Sequence, residues 1–302
     1  MIEQMKRIVL FLATNLAIMI ALSIVFHVAC ALLGVDPAAV FAQNGLDYFA
    51  LALFALVYGM FGSIVSLLLS KPVAKWSTKA KTITGEEGEA ERWLVDTVAE
   101  LAEKAGVRTP EVAIYPGEPN AFATGAFKNS ALVAVSTGIM PAMTRDELRA
   151  VLGHEMSHVA NGDMVTMTLL QGVLNAFVIF LSRVVAFVAA NAAKGGRKGG
   201  AGTVIYHVVH YAMQILLGVL ASIVAMWFSR KREYAADAGS ARLLGSAAPM
   251  IAALKRLENV QPGVLPDSIK AFGIAGGIGS LFASHPSIDQ RVAALEGLRT
   301  EA

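Results

Sequence analysis

The sequence predicts a mostly helical α+β membrane protein, with four transmembrane helices and a water-facing part that carries further helices and a small antiparallel sheet. Two observations carry this. Of 302 residues, 55% are hydrophobic and only 16% are charged, whereas a soluble domain of this size carries about a quarter charged residues. Four apolar runs, at 8–33, 48–69, 164–190 and 204–228, absorb the deficit, and each exceeds the roughly 20 residues that a ~30 Å hydrocarbon core requires.

The first run follows Lys6 and Arg7, as a secretory signal would. It is too long for that and no small-residue cleavage site follows, so it reads as a retained anchor. Cys30, the one cysteine, lies inside it and excludes an intrachain disulfide; it reads as a small buried hydrophobe. The loop 34–47 has no Lys or Arg and two acids, Asp36 and Asp47, whereas Lys71, Lys75, Lys79 and Lys81 follow the second run. The positive-inside rule then sets the N-terminus and everything after Lys71 in the cytoplasm. Arg230, Lys231 and Arg232 close the fourth run on the same side. Parity leaves the glycine-rich loop 194–202, with Lys194, Arg197 and Lys198, outside. A net charge of +2 offers nucleic acid no basic surface.

The later runs are more polar, with Gln171, Asn175 and Arg183 in the third and His207, His210 and Gln214 in the fourth. Arg183 lies about 28 Å of helix beyond Met164 and is expected to snorkel to the far boundary. His207 and His210, three apart, are either a metal pair or, the preferred reading, interfacial groups hydrogen-bonded between helices.

Between the second and third runs, 91–105 has a helical face of Leu94, Val98, Leu101 and Ala105, with Gly106 as the stop. Short apolar runs at 112–115, 121–124 and 132–136, punctuated by Pro116, Gly117, Pro119 and Asn129, predict the antiparallel sheet. Thr144 and Glu147 form a capping box that opens a helix ending at Asn161 and Gly162. Further helices are expected at 233–244, 249–260 and 288–298, with loops at 261–266 and 272–287. The chain thus divides into a transmembrane hairpin (1–70), a cytoplasmic part with sheet and capped helix (71–163), a second hairpin (164–229) and a cytoplasmic helical part (230–302).

The capped helix carries His154-Glu155-Met156-Ser157-His158. Residues four apart on a helix stand about 40° apart, so both imidazoles can reach one metal while Glu155 flanks the open position. A second stretch, Arg232-Glu233-Tyr234-Ala235-Ala236-Asp237, supplies Glu233 as third ligand. Asp237, one turn on, can accept a hydrogen bond from a ligand histidine and fix its tautomer. Such a His₂Glu set suits one catalytic zinc per chain, with Glu155 as general base in peptide hydrolysis. Two spans separate the ligand helices, and a hairpin returns both to one membrane face.

The chain resembles the HtpX family of bacterial heat-shock membrane metalloproteases, gluzincins related to the eukaryotic prenyl-protein endopeptidases. The resemblance covers nearly the whole chain. It rests on Asn120-Ala121-Phe122-Ala123-Thr124-Gly125, on 132–138, on the metal helix running into Ala160-Asn161-Gly162-Asp163-Met164-Val165, on Trp227-Phe228-Ser229-Arg230, on the Glu233 to Asp237 stretch, and on His285-Pro286-Ser287. It implies zinc-dependent cleavage of misfolded or damaged membrane proteins at the bacterial inner membrane, as part of quality control and the stress response. It also implies that Asn120, Ala121 and Phe122 lie near the cleft, where they bind substrate backbone by strand addition or form an ordinary edge strand. His285 either stabilises an oxyanion or is structural, and Arg291 could hold an acid nearby. The competing functions are a processing peptidase for defined protein tails, as in the prenyl-protein relatives, and a non-enzymatic metal transporter or channel.

Overall fold

A computed structural model describes residues 47–194, 201–258 and 285–298, with single positions at 24, 27, 28, 31, 32 and 36. Its elements are α1 (Tyr48–Thr78), β1 (Lys81–Ile83), α2 (Glu89–Lys104), β2 (Glu111–Tyr115), β3 (Ala121–Thr124), β4 (Leu132–Ser136), α3 (Ile139–Ala142), α4 (Arg145–Asn161), α5 (Asp163–Lys194), α6 (Ala201–Leu244), α7 (Ala248–Glu258) and α8 (Ile288–Leu298). They fall into two compact units, Met1–Val65 with Thr168–Ser222, and Ser66–Met167 with Ile223–Ala302.

In the first unit the apolar runs form long helices. Among the described residues, three helices (Tyr48–Thr78, Asp163–Ala193 and Gly202–Leu244) are long and apolar enough to cross a bilayer. Most of the expected first span at 8–33 and most of the 194–202 loop lie outside the described residues. Helices α1 and α5 approach closely because glycine lets them: a methyl group on Gly59 would stand 2.5 Å from the Ala176 backbone nitrogen. Small residues at such crossings let apolar helices gain packing contacts where no hydrophobic force drives them together.

The helices run past the expected span ends. Nothing between Gly218 and Gly239 breaks a helix, so α6 continues for 44 residues through Arg230, Lys231 and Arg232. The backbone does not change at those charges. The separate helix expected at 233–244 is the end of α6. Likewise α1 reaches Thr78, with Pro72 inside it.

In the second unit the sheet order is β1-β2-β4-β3. It is mixed, which corrects the antiparallel expectation: β2 and β4 pair in parallel, Val112 opposite Val133, while β1 with β2 and β3 with β4 are antiparallel. Strand β4, buried at all five residues from Leu132 to Ser136, lies between β2 and β3. Its side chains alternate. Val133 and Val135 join the main core with Leu94, Leu101, Leu152 and Met250, whereas Leu132 and Ala134 face a smaller cluster with Tyr115 and Phe122. Burial on both faces is why these strands read as continuous apolar runs. Strand β1, three residues beginning with Lys81, was too short and polar to predict.

Helix α4 starts as expected. The Glu147 amide donates to Thr144 Oγ1 (3.2 Å) and the Thr144 amide to Glu147 Oε2 (2.8 Å). It ends at Gly162, whose φ of 69° is left-handed backbone that glycine adopts without strain, and α5 begins at the next residue.

Candidate metal centre

His154 and His158 leave α4 on one side, their rings edge to face with centroids 4.6 Å apart. Ser240 and Ser157 set the depth at which α6 approaches that helix: Ser240 Oγ donates to the Ala150 carbonyl at 2.7 Å. A methyl on Gly153 would come within 2.8 Å of that hydroxyl, and one on Gly239 would overlap Ser157 Oγ. The close approach brings Glu233 of α6 to the imidazoles. Its Oε2 lies 3.6 Å from His154 Nε2 and its Oε1 3.4 Å from His158 Nε2, while the two Nε2 atoms stand 3.1 Å apart. Donors bound at about 2.0–2.1 Å to a tetrahedral ion are separated by roughly 3.3 Å. The three donors therefore have the spacing of a metal site, and together they can hold a metal ion.

Each imidazole is oriented from behind. His154 Nδ1 faces Asp237 Oδ1 at 2.9 Å. His158 Nδ1 faces Asp163 Oδ2 at 2.6 Å, a contact that the sequence did not reveal. With both Nδ1 atoms engaged by carboxylates, both Nε2 atoms are turned toward the common point. Arg291 of α8, 1% exposed, grips Asp237 with two parallel bonds, Nε to Oδ2 at 2.7 Å and Nη2 to Oδ1 at 2.6 Å. It also stands 3.6 Å from Glu233 Oε2. Behind Asp163, Arg232 Nη1 is 3.7 Å from Oδ2.

The electrostatics favour positive charge where the donors meet. Burial disfavours a protonated His158, but Asp163 and Glu233 outweigh it and push its pKa up to about 10. Burial likewise opposes ionisation of Glu233, yet His285, His154 and His158 hold its carboxyl well below the usual range. For Asp237, Arg291 and His154 overcome burial in the same way.

Glu155 is 1% exposed. Burial raises its carboxyl above the ordinary range, against the pull of both histidines, and the Ala123 backbone amide hydrogen-bonds it. Asn120, Ala121 and Phe122 lead into and begin β3, the edge strand that packs on α4. His285 Nδ1 lies 2.7 Å from Glu233 Oε2. The structure thus gathers every predicted site residue around α4, β3 and the Glu233 end of α6, and adds Asp163 and Arg232. His210 is buried and His207 exposed.

Two imidazoles on one helical turn, a glutamate between them and a second glutamate from a following helix make the arrangement of a gluzincin metallopeptidase, here in a chain with membrane-length helices. Comparison with known proteins narrows this. Residues 89–299 match peptidase family M48, and the chain belongs to that family. It is 53% identical over 293 residues to a protease HtpX homolog from Verminephrobacter eiseniae, covering 97% of this chain and 98% of that one. A second HtpX homolog, from Bordetella pertussis, is 54% identical over 300 residues, covering 98% and 99%. Among solved structures, S. mikatae Ste24p shares the fold, with a TM-score of 0.56 at 19% identity over 80% of this chain and 58% of its own. The protein is an HtpX-type membrane metalloprotease.

Proposed function

We propose that the chain is a zinc endopeptidase of the bacterial inner membrane that cleaves misfolded or damaged membrane proteins on the cytoplasmic side. The observation that carries the zinc assignment is the 3.1–3.6 Å spacing of His154, His158 and Glu233 donors. A His₂Glu set is also the donor chemistry of catalytic zinc. Four spans, the first at 8–33, and a cytoplasmic site are supported by the Lys and Arg that flank the spans, from Lys6 and Arg7 to Arg230, Lys231 and Arg232, and by their lack in 34–47.

His154, His158 and Glu233 hold one zinc per chain, which when bound supplies Lewis acidity to water and to a peptide carbonyl. Glu155 is the general base. Its carboxylate takes a proton from the attacking water as the new C–O bond forms, and returns it to the amine nitrogen as the C–N bond breaks. A carboxyl raised by burial is well matched to both transfers. Substrate lies extended along β3, beside Asn120, Ala121 and Phe122, with its backbone pairing to the sheet edge. His285 positions Glu233.

Glu155→Gln tests this reading. The amide cannot take a proton while all three ligands stay intact, so one zinc per chain should remain and casein cleavage should fall by several powers of ten. Near-normal turnover by the zinc-loaded variant would remove Glu155 from the mechanism. The same assay on the wild type separates a peptidase from a transporter.

A further inference from the structure

Arg183 does not snorkel outward as its position suggests. It is 20 residues beyond Asp163 on α5, about 30 Å of helix and therefore near the depth of the far headgroups. Its guanidinium turns inward, with Cζ 4.6 Å from the centre of the Phe54 ring, a side chain that is 7% exposed. Among the described residues, Nη1 reaches the Ile179 carbonyl, at 3.4 Å. Among the described residues no carboxylate stands within ion-pair distance of it. A cation in an apolar span is costly unless neutralised, and such residues mark pathways or ligand sites.

Among the described residues, the surroundings are polar and aromatic and hold no acid. Tyr58 stacks on Phe54 at 4.2 Å, and both Tyr58 and Tyr206 are near enough to act electrostatically on Arg183. Tyr206 stacks on His210 with ring centroids 5.9 Å apart. His210 is 8% exposed. One of its nitrogens bonds the Ser182 backbone, and its buried Nδ1 has no partner. A fixed cation with no carboxylate beside it among the described residues calls for an anion, and the buried, unpartnered imidazole nitrogen next to it leaves a position for one more polar contact.

We propose that Arg183 and His210, flanked by Tyr58 and Tyr206, bind one phosphate group at headgroup depth, that of a net-anionic phospholipid. The guanidinium fork matches the two free oxygens of a phosphodiester. The other ring nitrogen already gives its proton to the Ser182 backbone, so His210 donates from Nδ1 only as the imidazolium, a form that the negative charge of a bound phosphate favours. Among the described residues no acid stands there to receive an ammonium, so a headgroup of net negative charge binds in preference to a zwitterionic one. Val185, Val188, Val208 and Tyr211 are exposed on the same two helices.

Native mass spectrometry of the full-length, metal-loaded protein in non-ionic detergent decides this, with phosphatidylglycerol, phosphatidylcholine and sodium phosphate as separate arms. One phosphatidylglycerol per chain should be retained, about tenfold more tightly than phosphatidylcholine, and Arg183→Met should remove that preference. Arg183→Lys, which keeps the charge and loses the fork, should fall between. Equal retention of the two lipids, or an unchanged preference in Arg183→Met, would overturn the site. Displacement of phosphatidylglycerol by millimolar inorganic phosphate would overturn the lipid assignment in favour of a free-anion site. Should Arg183→Met not fold, the wild-type preference between the lipids is itself decisive, and His210→Gln should weaken it.

Discussion

His154 and His158 each turn Nδ1 to an aspartate, and each aspartate faces an arginine, yet the two arms differ in burial and anchorage. In the first, His154, Asp237 and Arg291 have side chains at most 2% exposed, and the arginine is bidentate. In the second, His158 and Asp163 are 12% and 9% exposed and Arg232 is 16% exposed, 3.7 Å from its acid. The second arm nevertheless has the shorter histidine–aspartate bond, 2.6 Å against 2.9 Å. Distance and burial therefore rank the arms in opposite orders. Burial should win, because water can replace a lost partner at the half-open arm and cannot reach the closed one.

Glu233 belongs to both arms, so its loss should have the largest effect. In Glu233→Ala two imidazoles remain, and dialysed protein should carry no stoichiometric zinc by elemental analysis and cleave no casein. Zinc retained at one per chain would move the third ligand elsewhere.

Arg291→Met comes next. It leaves Asp237 and Glu233 as buried carboxylates without their cation, a loss of roughly 3–5 kcal/mol. The thermal midpoint should fall on the order of 10 °C for a unit of this size, with zinc affinity falling alongside. Arg232→Gln should leave the midpoint nearly unchanged. Equal falls would show that the arms are equally closed.

The aspartates give the direct comparison. Losing the partner of a ligand histidine typically costs about 10- to 100-fold in metal affinity. Asp237→Ala should lie at the upper end and Asp163→Ala at the lower, with Asp237→Asn weaker in effect than Asp237→Ala. Titration against a chromogenic chelator ranks all three. The reverse order would mean that bond length, not burial, sets the strength of an arm.

The legibility of the two arms in the sequence also differs. His154, His158, Glu233 and Asp237 lie on helices, where spacings of four convert directly into a shared face. Asp163 follows His158 by five residues across the left-handed turn at Gly162, and no helical period carries through such a turn. Arg291 could be suspected of holding an acid, but which one depends on how α8 docks, and 259–284 intervene. The helices and the capping box were readable because their signals are local. The strand order was not: three short runs with tight turns look like a meander, and the placing of β4 between β2 and β3 rests on long-range pairing that no local signal carries.

The smallest effect should be that of Arg232→Gln on zinc affinity. Its 3.7 Å contact with Asp163 is an ion pair without a short hydrogen bond, and partly exposed pairs are worth about 0–1 kcal/mol. Asp163 already has His158 at 2.6 Å, so removing Arg232 loosens an acceptor that stays in place. Affinity should fall about two- to threefold, with Arg232→Lys close to wild type because charge at this separation matters more than the planar fork. The effect should also vanish when Asp163 is absent: Asp163→Ala with Arg232→Gln should bind zinc as Asp163→Ala alone does. An additive loss in the double variant would mean that Arg232 reaches the centre by another route, through Glu233 beside it. A tenfold loss in the single variant would mean that the second arm is as rigid as the first, and the contrast between them would fail.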